Sequence, residues 1–222
     1  MRGQRTFIAA LTIFAVLACT SVTFAADEKV EQLPKPQLMG KISINEAIAA
    51  RRSVRSYQKT EMLTAQLGQL LWAAQGVTDP EQGFRAAPSA GALYPLTVYV
   101  AKSDGLYRYY PDLHAIEQID EKDYRAQLAK LSYNQRWMSD APVQFIIAAD
   151  YDVIAKRYGD KAEAYTHYEV GCAAENLSLQ AIDMGMGTCL VGAFNPKEVA
   201  RALDLPKNET VQLIIPAGFP AE

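Results

Sequence analysis

The stretch from residue 163 to 184, EAYTHYEVGCAAENLSLQAIDM, constrains this chain more than any other. It is apolar on nearly every face from Val170 to Ile182. A helix without a polar face has to be covered all round. One domain of this length seldom covers a helix so fully unaided, so a second subunit is the economical cover. Gly185 or Gly187 is expected to end the helix, since glycine adopts the conformations that close a last turn.

The elements around it do not alternate strictly between helix and strand. Ser43 and Glu46 form an S-x-x-E capping box, which predicts a helix from Ile44 to about Arg52. Leu63, Leu67, Leu70, Leu71 and Ala74 share one face of a second helix that stops at Gly76. Pro95 to Ala101 is β-branched and aromatic, hence a strand. Leu106–Tyr110 and Ala115–Ile119 read as a hairpin around Pro111 and Asp112, and Glu121–Leu131 as a helix. Val143–Ala149 is an unbroken apolar run of the kind found in central strands. Thr188–Gly192 is expected as a short strand and Val211–Pro216 as a last one, with Pro196 opening a helix between them. This order fits an α+β class better than a doubly wound sheet.

Residues 1–25 carry an export pattern. Arg2 and Arg5 precede an apolar run of 11 residues, Phe7 to Leu17, and small residues surround Thr23 and Ala25. The run is too short for a bilayer span, which needs roughly 20 residues. Cleavage is expected after Ala25, giving a periplasmic protein. The alternative is a lipid anchor at Cys19, because Val16-Leu17-Ala18-Cys19 loosely resembles a lipobox. Residues 26–42 are polar and contain Pro34 and Pro36, a composition that suits a tether or a dimer-embracing arm. The domain proper then spans 43–222. Cys172 lies near the start of a helical stretch and Cys189 beyond its end. Their separation along it, about 18 Å, exceeds disulfide reach and predicts two buried free thiols.

The usual catalytic constellations are missing. The formal net charge is −3 and no basic stripe is present, so nucleic acid is not an expected partner. His114 and His167 are the two histidines, and no ligand cluster has metal spacing; no metal is expected. Neither a nucleophile elbow nor a P-loop nor a dinucleotide fingerprint occurs. An enzyme of this composition needs an organic cofactor for its chemistry.

Three segments are suited to hold one. Arg51-Arg52-Ser53-Val54-Arg55 places three guanidiniums and a hydroxyl at a helix-to-loop junction, where forked donors match phosphate oxygens. Taken alone it also reads as a solvated basic patch. Pro88-Ser89-Ala90-Gly91-Ala92-Leu93-Tyr94-Pro95 has small residues that let backbone approach a flat ring, or form a plain turn. Leu190-Val191-Gly192-Ala193-Phe194 offers backbone N–H groups just past the apolar helix.

RRSVRSY, LLWAAQGV, APSAGALYP and ENLSLQAIDMGMGTCLVGAF follow one another as in the nitroreductase family, and the resemblance runs from about Ser43 to Phe219. GLYRYYPDLHAIEQI, YNQRWMSDAPVQFII and KRYGDKAEAYTHYEVG also resemble the branch that contains the azoline dehydrogenases of ribosomal-peptide biosynthesis. The resemblance implies an α+β fold with a central, mostly antiparallel sheet flanked by helices. It further implies an intertwined homodimer with FMN at the subunit interface. In that pattern Arg51, Arg52, Ser53 and Arg55 hold the phosphate and the polar flavin edge. Pro88, Ser89, Ala90 and Gly91 come from the other subunit, and Asn134 bonds the pyrimidine side. Val191, Gly192 and Ala193 lie near flavin N5, where a donor tunes the atom that takes hydride.

Three departures stand out. A Lys or Arg that many members carry near the C-terminus has no counterpart between Gly218 and Glu222, which puts more of the phosphate charge on the arginines. The Lys-Tyr pair of the azoline enzymes reads Lys156-Arg157-Tyr158 here, and a permanently charged Arg157 is a poor base. Tyr158 is the one catalytic candidate, as a proton donor. A histidine common before the long helix is Cys172. The expected activity is two-electron transfer through FMN to or from a small conjugated organic substrate. NAD(P)H is one candidate donor, and for an exported protein a membrane or periplasmic redox partner is another. The alternatives are a non-catalytic flavin carrier and a peptide azoline dehydrogenase with a partner protein.

Overall fold

The computed structural model describes residues 29–221. The export leader, its cleavage after Ala25 and the lipid alternative at Cys19 lie outside the described residues. In chain order the elements are β1 (Val30–Gln32), α1 (Ile44–Ala50), α2 (Thr64–Gln75), β2 (Val77–Asp79), β3 (Phe84–Arg85), β4 (Leu96–Lys102), β5 (Gly105–Tyr110) and β6 (Ala115–Asp120). Then follow α3 (Arg125–Leu131), β7 (Val143–Ala149), α4 (Tyr151–Tyr158), α5 (Ala162–Asp183), β8 (Gly187–Thr188), α6 (Pro196–Ala202) and β9 (Thr210–Gly218). The class is α+β. One sheet of order β1-β6-β5-β4-β7-β9-β8 holds seven strands, antiparallel at every pairing.

The sheet is covered on both faces, and this explains why β7 reads as an unbroken apolar run. Its alternate residues Phe145, Ile147 and Ala149 face α2 and α5, joined by Leu70, Leu71, Ala173 and Leu177. Ile146 and Ala148 face the opposite way, against Leu128 of α3 and Val199 and Leu203 of α6. Small residues on the inner stripe of α5, Ala173, Ala174 and Ala181, let that helix lie close on the sheet. Its outer side is less covered. Cys172, Leu179 and Ile182 are half-buried, and Tyr168 is 68% exposed. A single copy of the chain therefore does not bury α5 all round. Both remaining cysteines are free; Cys189 is buried, whereas Cys172 is only half-buried.

Several boundaries differ from the sequence expectation for local reasons. Helix α1 stops at Ala50, because Arg51 is already extended (φ −58°, ψ 122°). Helix α3 begins at Arg125 rather than Glu121. Asp120 accepts the Lys122 N–H and Asp123 the Arg125 N–H, and such local acceptors draw the backbone away from helix. Beyond Thr188 the expected strand thins to one isolated bridge, Val191 to Ile214. Helix α4 had no counterpart in the sequence reading.

The segment expected as a tether is docked on its own domain. Val30 pairs with Glu117 as β1 extends the sheet edge, and the Leu33 N–H donates to His114 O at 3.0 Å. Further on, Gln37 and Gln69 exchange two hydrogen bonds, and the Lys41 and Ile42 N–H groups both donate to Asp183.

The capping box is complete. Ser43 Oγ accepts the Glu46 N–H, and Glu46 Oε2 accepts the Ser43 N–H. The Ser43 backbone N–H, then its hydroxyl, hold the Glu46 carboxyl below its ordinary value. That contribution is present above the unfolded carboxylate range and is lost as pH falls through the depressed folded value. Ser43→Ala is expected to lower the thermal midpoint at neutral pH by about 2–4 °C. The loss should shrink once Glu46 is protonated, and a melting series across acid pH checks both.

Candidate active site

The segment from Arg51 to Tyr57 crosses the end of the sheet as an extended strap. Ser53 forms a parallel bridge with Thr188, and the Val54 N–H donates to Thr188 O at 2.8 Å. Thr188 is itself tied to α5. Its hydroxyl donates to Ser178 Oγ at 3.0 Å, and the Ser178 hydroxyl donates to Ala174 O at 2.8 Å. The buried Tyr57 anchors the far end, its hydroxyl 2.7 Å from Val54 O and 3.1 Å from Pro216 O. Gly187 is required where the strap crosses β8: an added Cβ would lie 2.2 Å from Val54 Cγ2.

The three arginines on this strap do different things. Arg51 Nε is 3.5 Å from Glu175 of α5. Arg52 turns back and donates to Ala49 O and Arg51 O, completing the end of α1. The Arg55 guanidinium carbon lies over the Trp137 ring, 5.8 Å from its centroid, with no ion pair among the described residues. Trp137 also meets the Tyr57 ring at 6.5 Å. Three residues before Trp137 the chain holds Tyr133 (φ 54°) and Asn134 (φ 59°) in the left-handed region. Consecutive strained residues of this kind persist where surrounding structure over-determines them. The exposed Asn134 side chain makes no hydrogen bond among the described residues. Val191 is bridged to Ile214, while Gly192 and Ala193 are exposed and their N–H groups have no acceptor among the described residues. Nothing within 4 Å would meet a Cβ on Gly192. Trp137 links these segments: it carries Arg55 of the strap on its ring, follows the Asn134 turn, and packs against the cluster that holds Val191.

The Pro88–Gly91 loop belongs to a second neighbourhood. No hydrogen bond or ion pair joins it to Arg51, Arg52 or Arg55 among the described residues. It lies instead on the N-terminal half of α5, where the Ala90 N–H donates to Glu169 Oε1 at 2.7 Å. The Tyr94 N–H donates to Ser89 Oγ at 2.8 Å. Gly91 (φ 62°) passes so close to α4 that a Cβ would lie 2.7 Å from an Arg157 guanidinium nitrogen and 2.9 Å from Tyr158 Oη. The Tyr158 ring meets Tyr165 edge-on at 5.2 Å, so the catalytic candidate is a packed, half-buried tyrosine against the loop. A cavity of about 300 Å³ opens here between Pro88, Ser89, Ala90, Tyr165, Tyr168, Glu169 and Cys172. Burial, opposed by the Ala90 N–H and the Ser89 hydroxyl, pushes the Glu169 carboxyl above its ordinary value.

The Nitroreductase family model matches residues 48–219. The chain is a member of the nitroreductase family. Among its relatives is a Methanocaldococcus jannaschii protein named as a nitroreductase, 39% identical over 183 residues that cover 80% of this chain and 91% of that one. The FMN reductase [NAD(P)H] of Bacillus subtilis is 24% identical over 81% of this chain and 68% of its own length. In three dimensions the fold matches a nitroreductase-family crystal structure from Ralstonia eutropha with a TM-score of 0.81 at 29% identity. That match covers 88% of this chain and 91% of that one. Members of this family are oxidoreductases, and both donor-bearing neighbourhoods lie inside the matched span.

Sequence reasoning passed over Glu169, Glu175, Trp137 and Thr188. Glu169 left a readable trace. It stands on one helical stripe with Ala173 and Leu177, and a lone carboxylate on a buried stripe requires a partner. The partner, Ala90, is 79 positions away and invisible to any local pattern.

Proposed function

We propose that the chain is an FMN-dependent oxidoreductase that works as a homodimer on small conjugated organic substrates. The observation that carries this reading is the arginine strap itself: Ser53 is bridged to Thr188, and Arg55 lies over Trp137, which packs against the cluster holding Val191, next to the exposed Gly192 and Ala193. These residues suit a flat ring with an anionic tail. Arg51, Arg55 and the remaining N–H groups of Arg52 would hold the phosphate, with Ser53 beside them. Asn134 would take the pyrimidine edge. Bound FMN would supply two-electron hydride chemistry at its N5. Gly192 and Ala193 would aim backbone donors there, and Val191 fixes them to β9 through its bridge to Ile214.

A second copy completes the pocket in this reading. Pro88–Gly91 makes no hydrogen bond or ion pair to the arginines among the described residues, and in this reading the loop serves the site of its partner. Apolar surface is available for pairing: Leu38, Met39, Ile44 and Ile48 are each at least 57% exposed, along with Tyr168. The name of the Bacillus subtilis relative supports both FMN and NAD(P)H. The export pattern in residues 1–25 favours a membrane or periplasmic electron donor instead, since NAD(P)H is a cytoplasmic reductant.

Absorbance and sedimentation of the purified chain with added FMN test the reading. A yellow dimer with one FMN per subunit is expected, reoxidised by quinones or nitroaromatics. A flavin-loaded dimer that reduces no acceptor would make the chain a carrier. A colourless monomer would remove the cofactor assignment altogether.

A further inference from the structure

We infer that Glu169 is a positioning residue that latches the Pro88–Gly91 loop in the shape the cofactor pocket needs. The inference rests on the flavin reading above for what the loop faces, but the latch itself is independent of it.

The loop is strained. Gly91 (φ 62°), Ala92 (φ 55°) and Tyr94 (φ 50°) all lie in the left-handed region, two of them with side chains that disfavour it. Strain of this kind relaxes unless outside contacts fix it. Three contacts are present. The Ala90 N–H donates to Glu169 Oε1 at 2.7 Å, inside the range of a charge-assisted bond. The Ser89 hydroxyl accepts the Tyr94 N–H from within the turn, and its own O–H favours the charged Glu169 carboxylate. On its other side the loop backbone at Gly91 seats against Arg157 and Tyr158. Only Glu169 grips a backbone N–H from a different element, and it is 5% exposed on a helix held down by the sheet. A carboxylate is rarely left so buried without paired work to do. Ala173 and Leu177, one and two turns further along the helix, are buried in the same cluster as Phe145 of the sheet, so the helix that carries Glu169 is packed down.

Burial also makes the latch sensitive to pH. Glu169 shares its cavity with Ser89 and Ala90 on the loop and with Tyr165, Tyr168 and Cys172 on α5; Arg157 and Tyr158 of α4 meet the loop at Gly91. Glu169 keeps its proton to higher pH in the folded chain than in the unfolded one. Its contribution to global stability is therefore full below the unfolded carboxylate range and is lost as pH rises through the raised folded value. The grip on Ala90 runs the other way, strengthening as the carboxylate forms. A residue that merely filled space would show neither trend.

Amide exchange at Ala90 and FMN titration test this together, on the full chain. Glu169→Ala should speed Ala90 exchange and weaken FMN binding, each by about tenfold, while Glu169→Gln, which keeps an acceptor oxygen, should stay within about threefold. In the wild-type chain the Ala90 amide proton shift should titrate in step with the Glu169 carboxyl, a readout that needs no variant to fold. If wild-type protein ignores FMN, the flavin reading fails while Ala90 exchange still decides the latch. Unchanged Ala90 exchange in Glu169→Ala, or an Ala90 shift that is flat across acid pH, would overturn the inference.

Discussion

Replacing Arg51 and Arg55 together by alanine is expected to weaken FMN binding by at least about a hundredfold while leaving the fold in place. Each guanidinium that meets a phosphate contributes on the order of 1.5–3 kcal/mol, and tenfold in affinity corresponds to about 1.4 kcal/mol. Loss of two such contacts thus removes roughly two to four orders of magnitude. The fold gains little from either side chain. The Arg51–Glu175 pair is 3.5 Å apart and half-exposed, and the Arg55–Trp137 stack lies near the surface. Contacts of these kinds stabilise by about 1 kcal/mol or less, which moves the thermal midpoint by about 2–4 °C. Riboflavin separates this prediction from a general loss of the pocket. It lacks the phosphate, so its affinity should change by less than about threefold in the double variant. Full FMN occupancy in that variant, or an equal loss for both ligands, would refute the assignment of these arginines to the phosphate.

How far the sequence reveals this molecule depends on the range of the interactions involved. Strand β7 and helix α5 are legible to within a residue or two, because their burial is written into hydrophobic pattern. Strand β1 is not. Its three residues Val30, Glu31 and Gln32 are all exposed at a sheet edge, and its placement depends on hydrogen bonds to β6 rather than on any apolar face. The start of α3 was missed because Asp120 and Asp123 compete locally for backbone N–H groups that a helix would otherwise use. At the site, Arg51–Arg55 and Gly192–Ala193 are legible as donor-rich segments, and the bridge from Ser53 to Thr188 sets the first of them beside β8, four residues before Gly192. What no segment announces is that the Pro88–Gly91 loop is bonded to Glu169, or that Arg51 is paired with Glu175. Both arise from helix α5 running past the two neighbourhoods in turn, with Glu169 at one and Glu175 at the other.

The crossing of the arginine strap over β8 leads to the other large effect. Gly187→Ala is expected to destabilise the protein by about 2–3 kcal/mol and to lower its thermal midpoint by roughly 5–10 °C. The cause is volume alone, since the new methyl would lie 2.2 Å from Val54 Cγ2 and 2.7 Å from Val54 Cβ. Valine is stiff about χ1 and cannot swing aside, so the strap itself has to lift. Lifting it strains the Val54 N–H bond to Thr188 O and the Ser53 bridge, the links that hold the arginine strap on β8. FMN affinity should therefore fall with stability in this variant, although no arginine has been altered. Val54→Ala should ease Gly187→Ala in part, by removing the two methyl groups at 2.2 and 3.2 Å while the Cβ at 2.7 Å remains. The double variant is then expected to be at least about 1 kcal/mol more stable than the sum of the single effects predicts, a coupling typical of residues in direct contact. Additive losses, or a Gly187→Ala protein as stable as the parent, would show that the strap does not rest on β8, and the placement of the arginine strap would lose its structural basis.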